Sequence, residues 1–342
     1  MIRTIPATLI EGDGIGPEIL DATIEILEVL GARFKWHRFK AGLSAFEEFG
    51  DPLPKAMMDN IRETKLALKA PLGTPIGDGF RSANVRLREE FKLYANVRPA
   101  VSYLQDPYRH DNIDIVLIRE NTQGFYVGVE HYIPIDDDPK AVAEASGIIT
   151  RSGCRKIAKY TFDYAIKNNR KKITIVHKAN ILKKLTGLFL ETTKEVGQGK
   201  KYASLEIEDR IVDNTAMQLV INPSQFDMIL TTNMFGDILS DEIAGLIGGL
   251  GLAPGGNIGE NAAIFEAVHG TAPDIAGKGI ANPTALLLAA AMMLDHIEEK
   301  LLGDRLREAI KSTLSNSHTR TIDLRGTANT KEYTKAMINY LN

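Results

Sequence analysis

The sequence is poor in cysteine, in tryptophan and in excess charge of either sign. Cys154 is the only cysteine among 342 residues, which excludes an intrachain disulfide and favours a reducing compartment. The 41 basic and 44 acidic residues give a net charge of −3, so the composition predicts no broad surface for nucleic acid or for membrane lipid. Any anionic ligand must therefore be held by a local cluster of cationic side chains.

Long apolar runs are also missing. The longest covers residues 285–294, ends at Asp295 and is too short to span a bilayer, so it predicts a buried helix. Residues 1–10 lack the charged leader and apolar centre of a signal peptide. We therefore expect a cytoplasmic protein that does not bind membranes.

Apolar segments of strand length alternate along the chain with amphipathic segments of helix length. This alternation predicts an α/β fold with a largely parallel sheet. A helix is expected after Pro17, because proline suits the first turn of a helix. The predicted strands are 4–10, 65–70, 113–118, 172–176, 226–231 and 263–268. The other predicted helices are 148–168, 181–196 and 284–300.

Glycines at positions 12, 14 and 16 invite comparison with a dinucleotide-binding Rossmann turn. That fingerprint needs its third glycine one position later and an acidic residue about twenty positions further on, which hydrogen-bonds the ribose. Residues 33–40 are basic instead. The glycines therefore predict a tight turn, and any cofactor must bind in another way.

Asp237 and Asp241 are four residues apart in an apolar segment. On a helix they would lie on one face, where two like charges repel unless a cation binds between them. Carboxylate oxygens suit Mg²⁺ or Mn²⁺. The alternative is a solvated helix face, and apolar neighbours such as Ile238 favour the metal. Asp213 is a candidate third ligand, although an aspartate that opens a helix is more often an N-cap.

Three arginines with a serine and an amide are candidates for binding a compact polycarboxylate, because guanidinium binds carboxylate in a bidentate fork. Asn84 and Arg88 would share a helix face that begins near Ser82. Arg98 and Arg119 each follow an apolar segment, where open α/β sheets bind ligands. The alternative for each arginine is a surface salt bridge.

Lys178 directly follows the predicted strand 172–176. A partly desolvated lysine near other cations has a lowered pKa and can act as a base. Tyr126 lies between glycines in residues 124–135, which alternate like a strand and predict a protruding arm. It is a candidate phenolic acid, with packing as the alternative role.

Residues 269–275 follow the predicted strand 263–268. Backbone amides of such a loop can face a nucleotide, and Asp274 can accept hydrogen bonds from both ribose hydroxyls. The same charge would repel a 2′-phosphate.

Together these motifs resemble the β-decarboxylating dehydrogenases, the family of isocitrate, isopropylmalate and homoisocitrate dehydrogenases. The resemblance covers nearly the whole chain. It is specific at five motifs: Glu11-Gly-Asp-Gly-Ile-Gly-Pro-Glu18, Leu93-Tyr-Ala-Asn-Val-Arg98-Pro, Arg119-Glu-Asn-Thr, the segment 233–251 and Phe265-Glu-Ala-Val-His269-Gly-Thr-Ala-Pro.

The resemblance implies an isopropylmalate-dehydrogenase-like two-domain fold with non-Rossmann cofactor binding and a cleft between a large and a small domain. Residues 1–98 and 255–342 would form the large, NAD-binding domain. Residues 99–254 would form the small domain, which carries metal and catalytic residues, makes the dimer and includes an arm at about 124–145.

The resemblance also implies a metal-dependent oxidative decarboxylation with NAD and Mg²⁺ or Mn²⁺. Lys178 would be the base and Tyr126 the acid. The implied ligands are Ser82, Asn84, Arg88, Arg98, Arg119 and Asn180 for substrate; Thr74, Glu266, His269, Gly270, Thr271, Ala272, Asp274, Ile275 and Asn282 for cofactor; and Asp213, Asp237 and Asp241 for metal.

Substrate, cofactor and oligomeric state follow from finer features of the resemblance. The arrangement Ser82-x-Asn84-x-x-x-Arg88 implies isocitrate, and the pair Asp274 and Ile275 implies NAD. Homoisocitrate, one methylene longer, is the alternative substrate, and a non-catalytic regulatory subunit is the alternative role. A homodimer or a dimer of dimers is implied, in which each active site takes Lys178 and Asp213 from the partner. Gln123 departs from the family pattern, where an acidic residue is usual.

Overall fold

The computed structural model describes residues 4–73, 82–104, 110 and 112–342. Within this part of the chain, strands β1 to β12 cover Ile5–Ile10, Phe34–Phe39, Leu66–Lys69, Ala95–Val101, Asp114–Glu120, Glu130–Ile135, Asp138–Ala145, Lys172–His177, Glu206–Ile211, Met228–Thr231, Pro254–Ile258 and Ala263–Ala267. Helices α1 to α11 cover Gly16–Leu30, Leu43–Phe49, Lys55–Thr64, Ala83–Glu90, Arg151–Lys167, Leu185–Gly197, Val212–Ile221, Asn233–Ile247, Thr284–His296, Lys300–Ser315 and Thr330–Leu341. Short 3₁₀ helices cover Phe125–Val127, Lys200–Tyr202, Pro223–Gln225, Leu250–Leu252 and Ile322–Leu324. The predicted α/β class is confirmed.

The chain divides into two compact units. The first unit comprises Met1–Leu93, Pro99–Asn112 and Ala244–Asn342, and the second comprises Tyr94–Arg98 and Ile113–Ile243. The expectation that the large domain binds NAD and the small domain makes the dimer stays a prediction. Among the described helices, none combines the length and the apolar composition needed to cross a membrane.

The sheet of the first unit has the strand order β2-β1-β3-β12-β11. Strands β2, β1, β3 and β12 are parallel, and β11 is antiparallel to β12. Helix α9 packs against β11 and β12 and is buried along nearly its whole length, which confirms the buried helix predicted for residues 285–294. It ends earlier than predicted, because Glu298 takes a positive φ of 67° that a continuing helix does not allow.

The sheet of the second unit has the order β4-β5-β10-β8-β9, in which β5, β10, β8 and β9 are parallel. Their carboxyl ends therefore meet at one edge of the sheet. Arg119 lies near the end of β5, Lys178 directly follows β8, and Asp213 lies just past β9. Three of the predicted site residues are thus brought to the edge where open α/β sheets bind ligands.

The predicted arm is a two-stranded antiparallel hairpin of β6 and β7. Every residue of both strands is exposed. The strand begins later than the alternating pattern suggested, because Gly124 and Gly128 take positive φ values and a 3₁₀ turn lies between them. That turn carries Tyr126.

Candidate active site

One face of helix α8 organises the candidate site in the second unit. The helix begins at Asn233, directly after β10, and Asp237 and Asp241 follow at intervals of four residues. Residues with this spacing lie above one another on a helix. The face therefore presents an amide and two carboxylates in a row, as the spacing of the two aspartates predicted.

Arg119 contacts this face from strand β5. Only 1% of the residue is exposed. Its Nε and Nη2 atoms donate to Asn233 Oδ1 at 3.0 and 2.7 Å, and its Nη1 donates to Asp237 Oδ1. A Cβ atom at Gly236 would lie 2.7 Å from Arg119 Cγ, so a glycine is needed for the arginine to cross the helix at this point.

Arg98 approaches the same carboxylates from strand β4 and is also buried. Its Nε donates to Asn96 Oδ1 at 2.7 Å, and its Nη1 donates to Ser240 Oγ. Its guanidinium nitrogens lie 3.5 Å from Asp237 Oδ1 and from Asp241 Oδ1. The alternative that the arginines make only surface salt bridges is therefore excluded for Arg98 and Arg119.

The two carboxylates remain accessible although both arginines are buried. The side chains of Asp237 and Asp241 are 37% and 55% exposed. Partial burial raises the pKa of Asp241. The positive charges of Arg98 and Arg119 oppose this rise, and the negative charge of Asp237 adds to it. Ile238 is 61% exposed, so it does not help to bury the pair, contrary to the prediction.

These residues fit a divalent cation. Mg²⁺ is commonly held by one or two carboxylates and completes its coordination with water or substrate oxygens. Asp237 and Asp241 supply such a pair, and the neighbouring arginines suit the carboxylates of a substrate that would share the ion. Within the described residues, no three histidine, cysteine, aspartate or glutamate side chains are grouped as a metal site. The role of Asp213 as a third ligand stays a prediction.

Tyr126 also contacts this cluster. Its hydroxyl donates to Asp237 Oδ2 at 2.6 Å, and its ring faces the guanidinium of Arg119 at 5.3 Å from the ring centroid. The side chain is therefore part of the polar cluster, so packing does not account for its position.

Lys178 and Asp213 form a pair of their own. Lys178 Nζ donates to Asp213 Oδ1, and this hydrogen bond lowers the pKa of Asp213. Asp213 lies in the first turn of α7, whose N-cap residue is Ile211, so the N-cap alternative for Asp213 is wrong. Asn180 is exposed in the turn after Lys178.

The predicted carboxylate-binding residues of the first unit lie on helix α4. Ser82 is the N-cap residue, and Asn84 and Arg88 share one face of the helix. Asn84 Oδ1 is buried and has no hydrogen-bond partner in the described part of the chain. It adjoins a cavity of about 10 Å³, which Arg88 and Glu266 also line. Thr74 lies outside the described residues.

Glu266 is buried on strand β12 and paired with residues that the sequence did not single out. It accepts hydrogen bonds from Lys69 Nζ at 2.7 Å and from Asn257 Nδ2 at 2.6 Å. Burial opposes its ionisation, but Lys69 and then Arg88 outweigh burial and lower the pKa of Glu266 to about 2. Lys69 and Glu266 meet because they are register partners on β3 and β12, and no local pattern reveals that pairing.

The predicted cofactor loop begins after β12. Asp274 is exposed, Gly270 is exposed, and His269 is half-buried with a pKa lowered by burial. The turn predicted from the glycines at 12, 14 and 16 supports this loop, because Ile15 N donates to Thr271 O at 2.9 Å. Ala272 takes a positive φ, and Ile275 N donates back to Ala272 O at 3.1 Å.

Asn282 has a structural role at the start of α9. Its Oδ1 accepts from Thr284 N at 2.9 Å, and its Nδ2 donates to Asp323 Oδ2 at 2.9 Å. These contacts hold the segment between the cofactor loop and the buried helix. Whether Asn282 also contacts a nucleotide stays a prediction.

Comparisons with known proteins agree on the family. The family model for isocitrate/isopropylmalate dehydrogenase matches residues 6–338. The chain is 44% identical over 338 residues to isocitrate dehydrogenase (NAD) catalytic subunit 5, mitochondrial, of Arabidopsis thaliana, with 98% of this chain and 88% of that protein covered. It is 46% identical over 346 residues to homoisocitrate dehydrogenase of Methanocaldococcus jannaschii, with 97% and 96% covered.

The crystal structure of isocitrate dehydrogenase from Methylococcus capsulatus matches with a TM-score of 0.95 and 48% identity, over 99% of both chains. A match of this extent confirms the predicted fold, which differs from a Rossmann domain. The chain belongs to the isocitrate/isopropylmalate dehydrogenase family, whose members are decarboxylating dehydrogenases.

Proposed function

We propose that this chain is a catalytic dehydrogenase that converts isocitrate into 2-oxoglutarate and CO₂, with NAD as oxidant and Mg²⁺ or Mn²⁺ as cofactor. The observation that carries the proposal is the cluster in which Arg98, Arg119 and Tyr126 surround the carboxylates of Asp237 and Asp241. Such a cluster offers both oxygen ligands for a cation and guanidinium groups for an anionic substrate.

The chain's own residues would divide the work as follows. Arg98 and Arg119 bind and orient substrate carboxylates, and their burial keeps the two guanidinium groups in fixed positions. Lys178 takes the proton of the 2-hydroxyl group while hydride leaves C2, and Tyr126 donates a proton to C3 after CO₂ has left. Helix α4 supplies three further proposed ligands for substrate carboxylates: Ser82, Asn84 and Arg88. The support for them is their shared position on this helix.

A divalent cation and NAD would complete the chemistry. Asp237 and Asp241, with Asp213 of the partner subunit, would hold the divalent cation, which acts as a Lewis acid towards the substrate oxygens. The loop 269–275 would hold NAD, which accepts the hydride, and Asp274 supports NAD over NADP because its charge repels a 2′-phosphate.

We also propose a homodimer with shared active sites. Helix α7 exposes Met217 and Ile221, and α8 exposes Ile238, each with more than half of its surface accessible. The hairpin of β6 and β7 is exposed on both faces, and an isolated two-stranded hairpin is only marginally stable in water. A second copy that covers these surfaces would account for both features.

Homoisocitrate remains the second candidate substrate. The relative from Methanocaldococcus jannaschii carries that activity in its name and is about as similar to this chain as the isocitrate dehydrogenase subunit. The two substrates differ by one methylene, which a binding site discriminates by only about 1–3 kcal/mol. The predicted cytoplasmic location also stays a prediction, since the Arabidopsis relative is named a mitochondrial protein.

The first test follows reduction of NAD by the purified chain with isocitrate, homoisocitrate and isopropylmalate, each with Mn²⁺ and with either NAD or NADP. Isocitrate with NAD should give the highest kcat/KM. A higher value for homoisocitrate would overturn the substrate assignment, and faster turnover with NADP would overturn the role of Asp274. Activity that appears only after a homologous subunit is added would favour the regulatory role.

The second test addresses the shared site by mixing the variants Lys178→Gln and Asp241→Asn after reversible dissociation, at a Mn²⁺ concentration too low for Asp241→Asn to turn over by itself. If each site takes Lys178 from one subunit and Asp241 from the other, mixed dimers have one intact site and the mixture recovers about a quarter of the wild-type activity. A chain that carries both substitutions is the control, because it should contribute no intact site to any dimer. Absence of recovery in exchanged dimers would exclude sharing.

A further inference from the structure

His177 is a buried residue that the proposed mechanism does not use, and it directly precedes Lys178. It is the last residue of strand β8, and only 6% of its surface is exposed. Its Nδ1 lies 3.0 Å from the backbone nitrogen of Ala179, and its Nε2 lies 3.2 Å from Asp209 Oδ2. Both ring nitrogens therefore have a defined partner.

These partners fix the tautomer of the ring. A backbone N–H can only donate, so Nδ1 must accept from Ala179. The ring proton of the neutral imidazole then lies on Nε2, where it donates to the Asp209 carboxylate.

Asp209 is held in place by its own contacts. It lies on β9, two residues before Ile211, the register partner of His177, and its other carboxylate oxygen accepts from Lys194 of α6. Burial opposes its ionisation, but Lys194 and His177 outweigh burial and lower the pKa of Asp209. A chain of contacts thus runs from Lys194 through Asp209 and His177 to the backbone at Ala179.

The backbone on both sides of Lys178 is fully engaged. Lys178 N donates to Thr186 Oγ1 at 3.2 Å, and Lys178 O accepts from Ile181 N and Leu182 N at 3.1 and 2.8 Å. The N–H of the following peptide is the one held by His177. The Lys178 carbonyl and the Ala179 N–H belong to one planar peptide, so loss of the His177 acceptor removes one of the three hydrogen bonds that hold this plane. The backbone at Lys178 is then less firmly held, and a buried N–H loses its partner.

We propose that His177, oriented by Asp209, is a positioning residue that fixes the backbone from which Lys178 reaches its substrate. The proposal rests on the proposed function, in which Lys178 takes the proton of the 2-hydroxyl group. His177 touches neither substrate nor cofactor in this role, and it acts only through the peptide that follows Lys178.

Two isosteric substitutions separate the two ring nitrogens. In His177→Asn the amide oxygen takes the place of Nδ1 and can accept from the N–H two residues on, as asparagine commonly does in turns. In His177→Gln the amide takes the place of Nε2 and can contact Asp209, but no acceptor faces Ala179. The pair therefore removes or keeps the one hydrogen bond on which the proposal depends.

The experiment measures kcat and KM for isocitrate with NAD and Mn²⁺ in the full-length enzyme. His177→Gln should lower kcat about 10- to 100-fold with KM within about twofold of wild type, because a displaced base affects the transition state more than substrate binding. His177→Asn should recover most of that loss. Thermal unfolding of both variants is the control: similar unfolding temperatures would show that the difference in kcat does not come from a difference in stability.

Wild-type kcat in His177→Gln would overturn the proposal, and so would an equal loss of kcat in both variants. The control Lys178→Gln tests the premise separately, because it must abolish turnover if Lys178 is the base. Substantial activity in Lys178→Gln would overturn the role of Lys178 itself. If Lys178→Gln is inactive but His177→Gln keeps its wild-type kcat, only the role of His177 is overturned.

Discussion

The hydroxyl of Tyr126 donates a 2.6 Å hydrogen bond to Oδ2 of Asp237, whose other oxygen accepts from the buried Arg119. The proposed proton donor and a proposed metal ligand are thus in direct contact. The Asp237 carboxylate has a fixed orientation, since both of its oxygens have protein partners.

Substitution Tyr126→Phe should therefore lower kcat about 100-fold, the usual contribution of a general acid, while KM for isocitrate changes little. The phenyl ring keeps its contact with the Arg119 guanidinium, so thermal stability should stay close to that of wild type. Steady-state NADH formation and thermal unfolding check the two parts. Wild-type kcat in a folded Tyr126→Phe variant would contradict the acid role.

The two carboxylates of α8 should respond differently to substitution by asparagine. Both Asp237→Asn and Asp241→Asn should raise the Mn²⁺ concentration needed for half-maximal activity, because each removes a charged oxygen ligand. Only Asp237→Asn should also destabilise the fold, by about 1–3 kcal/mol, because it leaves the buried Arg119 guanidinium poorly compensated. Asp241, whose side chain is 55% exposed, makes only a 3.5 Å contact with Arg98.

Urea unfolding gives the stability of each variant, and Mn²⁺ titration of the activity gives the affinity for metal. Equal destabilisation by both substitutions would show that the Arg119 contact is not what distinguishes the two aspartates. An unchanged Mn²⁺ requirement in both would remove α8 from the metal site.

The fold was largely predictable where strands are buried on both faces. The predicted strands 65–70 and 172–176 lie within two residues of Leu66–Lys69 and Lys172–His177 at each end. Such strands read as continuous apolar runs. The buried strands β4 and β11 were also missed, because β4 contains Pro99 and β11 begins Pro254-Gly-Gly, and proline and glycine are uncommon inside strands. Strands β2 and β9 were missed because they lie at the two ends of the strand orders and carry many charged residues, as Glu206–Ile211 does. A solvated edge strand has no apolar run to reveal it.

The candidate site was predictable where its residues share one element and unpredictable where they meet across elements. Asp237 and Asp241 were visible as a pair because both lie on one helix face. The contacts of Arg119 with Asn233, and of Lys69 with Glu266, depend on the register of strands and helices that are distant in sequence. The role of His177 depends likewise on its contact with Asp209 of the neighbouring strand.

The buried pair of Lys69 and Glu266 should make stability depend on pH at the acid end. The pKa of Glu266 is about 2 in the folded protein, against an ordinary value of 4.5. Its ionised form therefore stabilises the fold above about pH 4.5, and that contribution is lost as the pH falls towards 2. The difference corresponds to about 3 kcal/mol at neutral pH.

Glu266→Gln should lower the free energy of unfolding at pH 7 by about that amount, and its difference from wild type should shrink below pH 4.5. Denaturant unfolding at several pH values measures both. The double substitution Lys69→Met with Glu266→Leu is the control, because removing both charges avoids an unpaired buried cation and should cost less than Glu266→Gln alone. A difference that stays constant down to pH 3 would contradict the pair as its source.

Cys154 should be inert in the native protein. Only 1% of the residue is exposed, and burial followed by the nearby charge of Glu120 raises the pKa of its thiol to about 11. Because the thiolate is the reactive species, a chromogenic aromatic disulfide should label no thiol in the folded enzyme and one thiol per chain after denaturation. Rapid native labelling would show that helix α5, which carries Cys154, opens locally.

Two glycines with positive φ offer a matched test of the turn that supports the cofactor loop. A Cβ atom at Gly14, whose φ is +59°, would lie 2.0 Å from the carbonyl oxygen of Thr271. Gly31 ends α1 with a φ of +87°, and a Cβ there would meet nothing within 4 Å. Alanine at either position incurs the left-handed backbone strain, but only alanine at 14 must also displace the loop.

Gly31→Ala should therefore cost only about 1–2 kcal/mol and leave the KM for NAD unchanged. Gly14→Ala should cost more and raise the KM for NAD, because the backbone of Thr271 has to move away from the turn. Urea unfolding and NAD titration of the activity compare the two variants. If both variants lose the same stability and keep the same KM, the turn does not set the position of the loop. A rise in the KM for NAD confined to Gly14→Ala would instead show that this glycine-rich turn positions the loop 269–275. The turn would then contribute to NAD binding although it does not have the spacing of a Rossmann fingerprint.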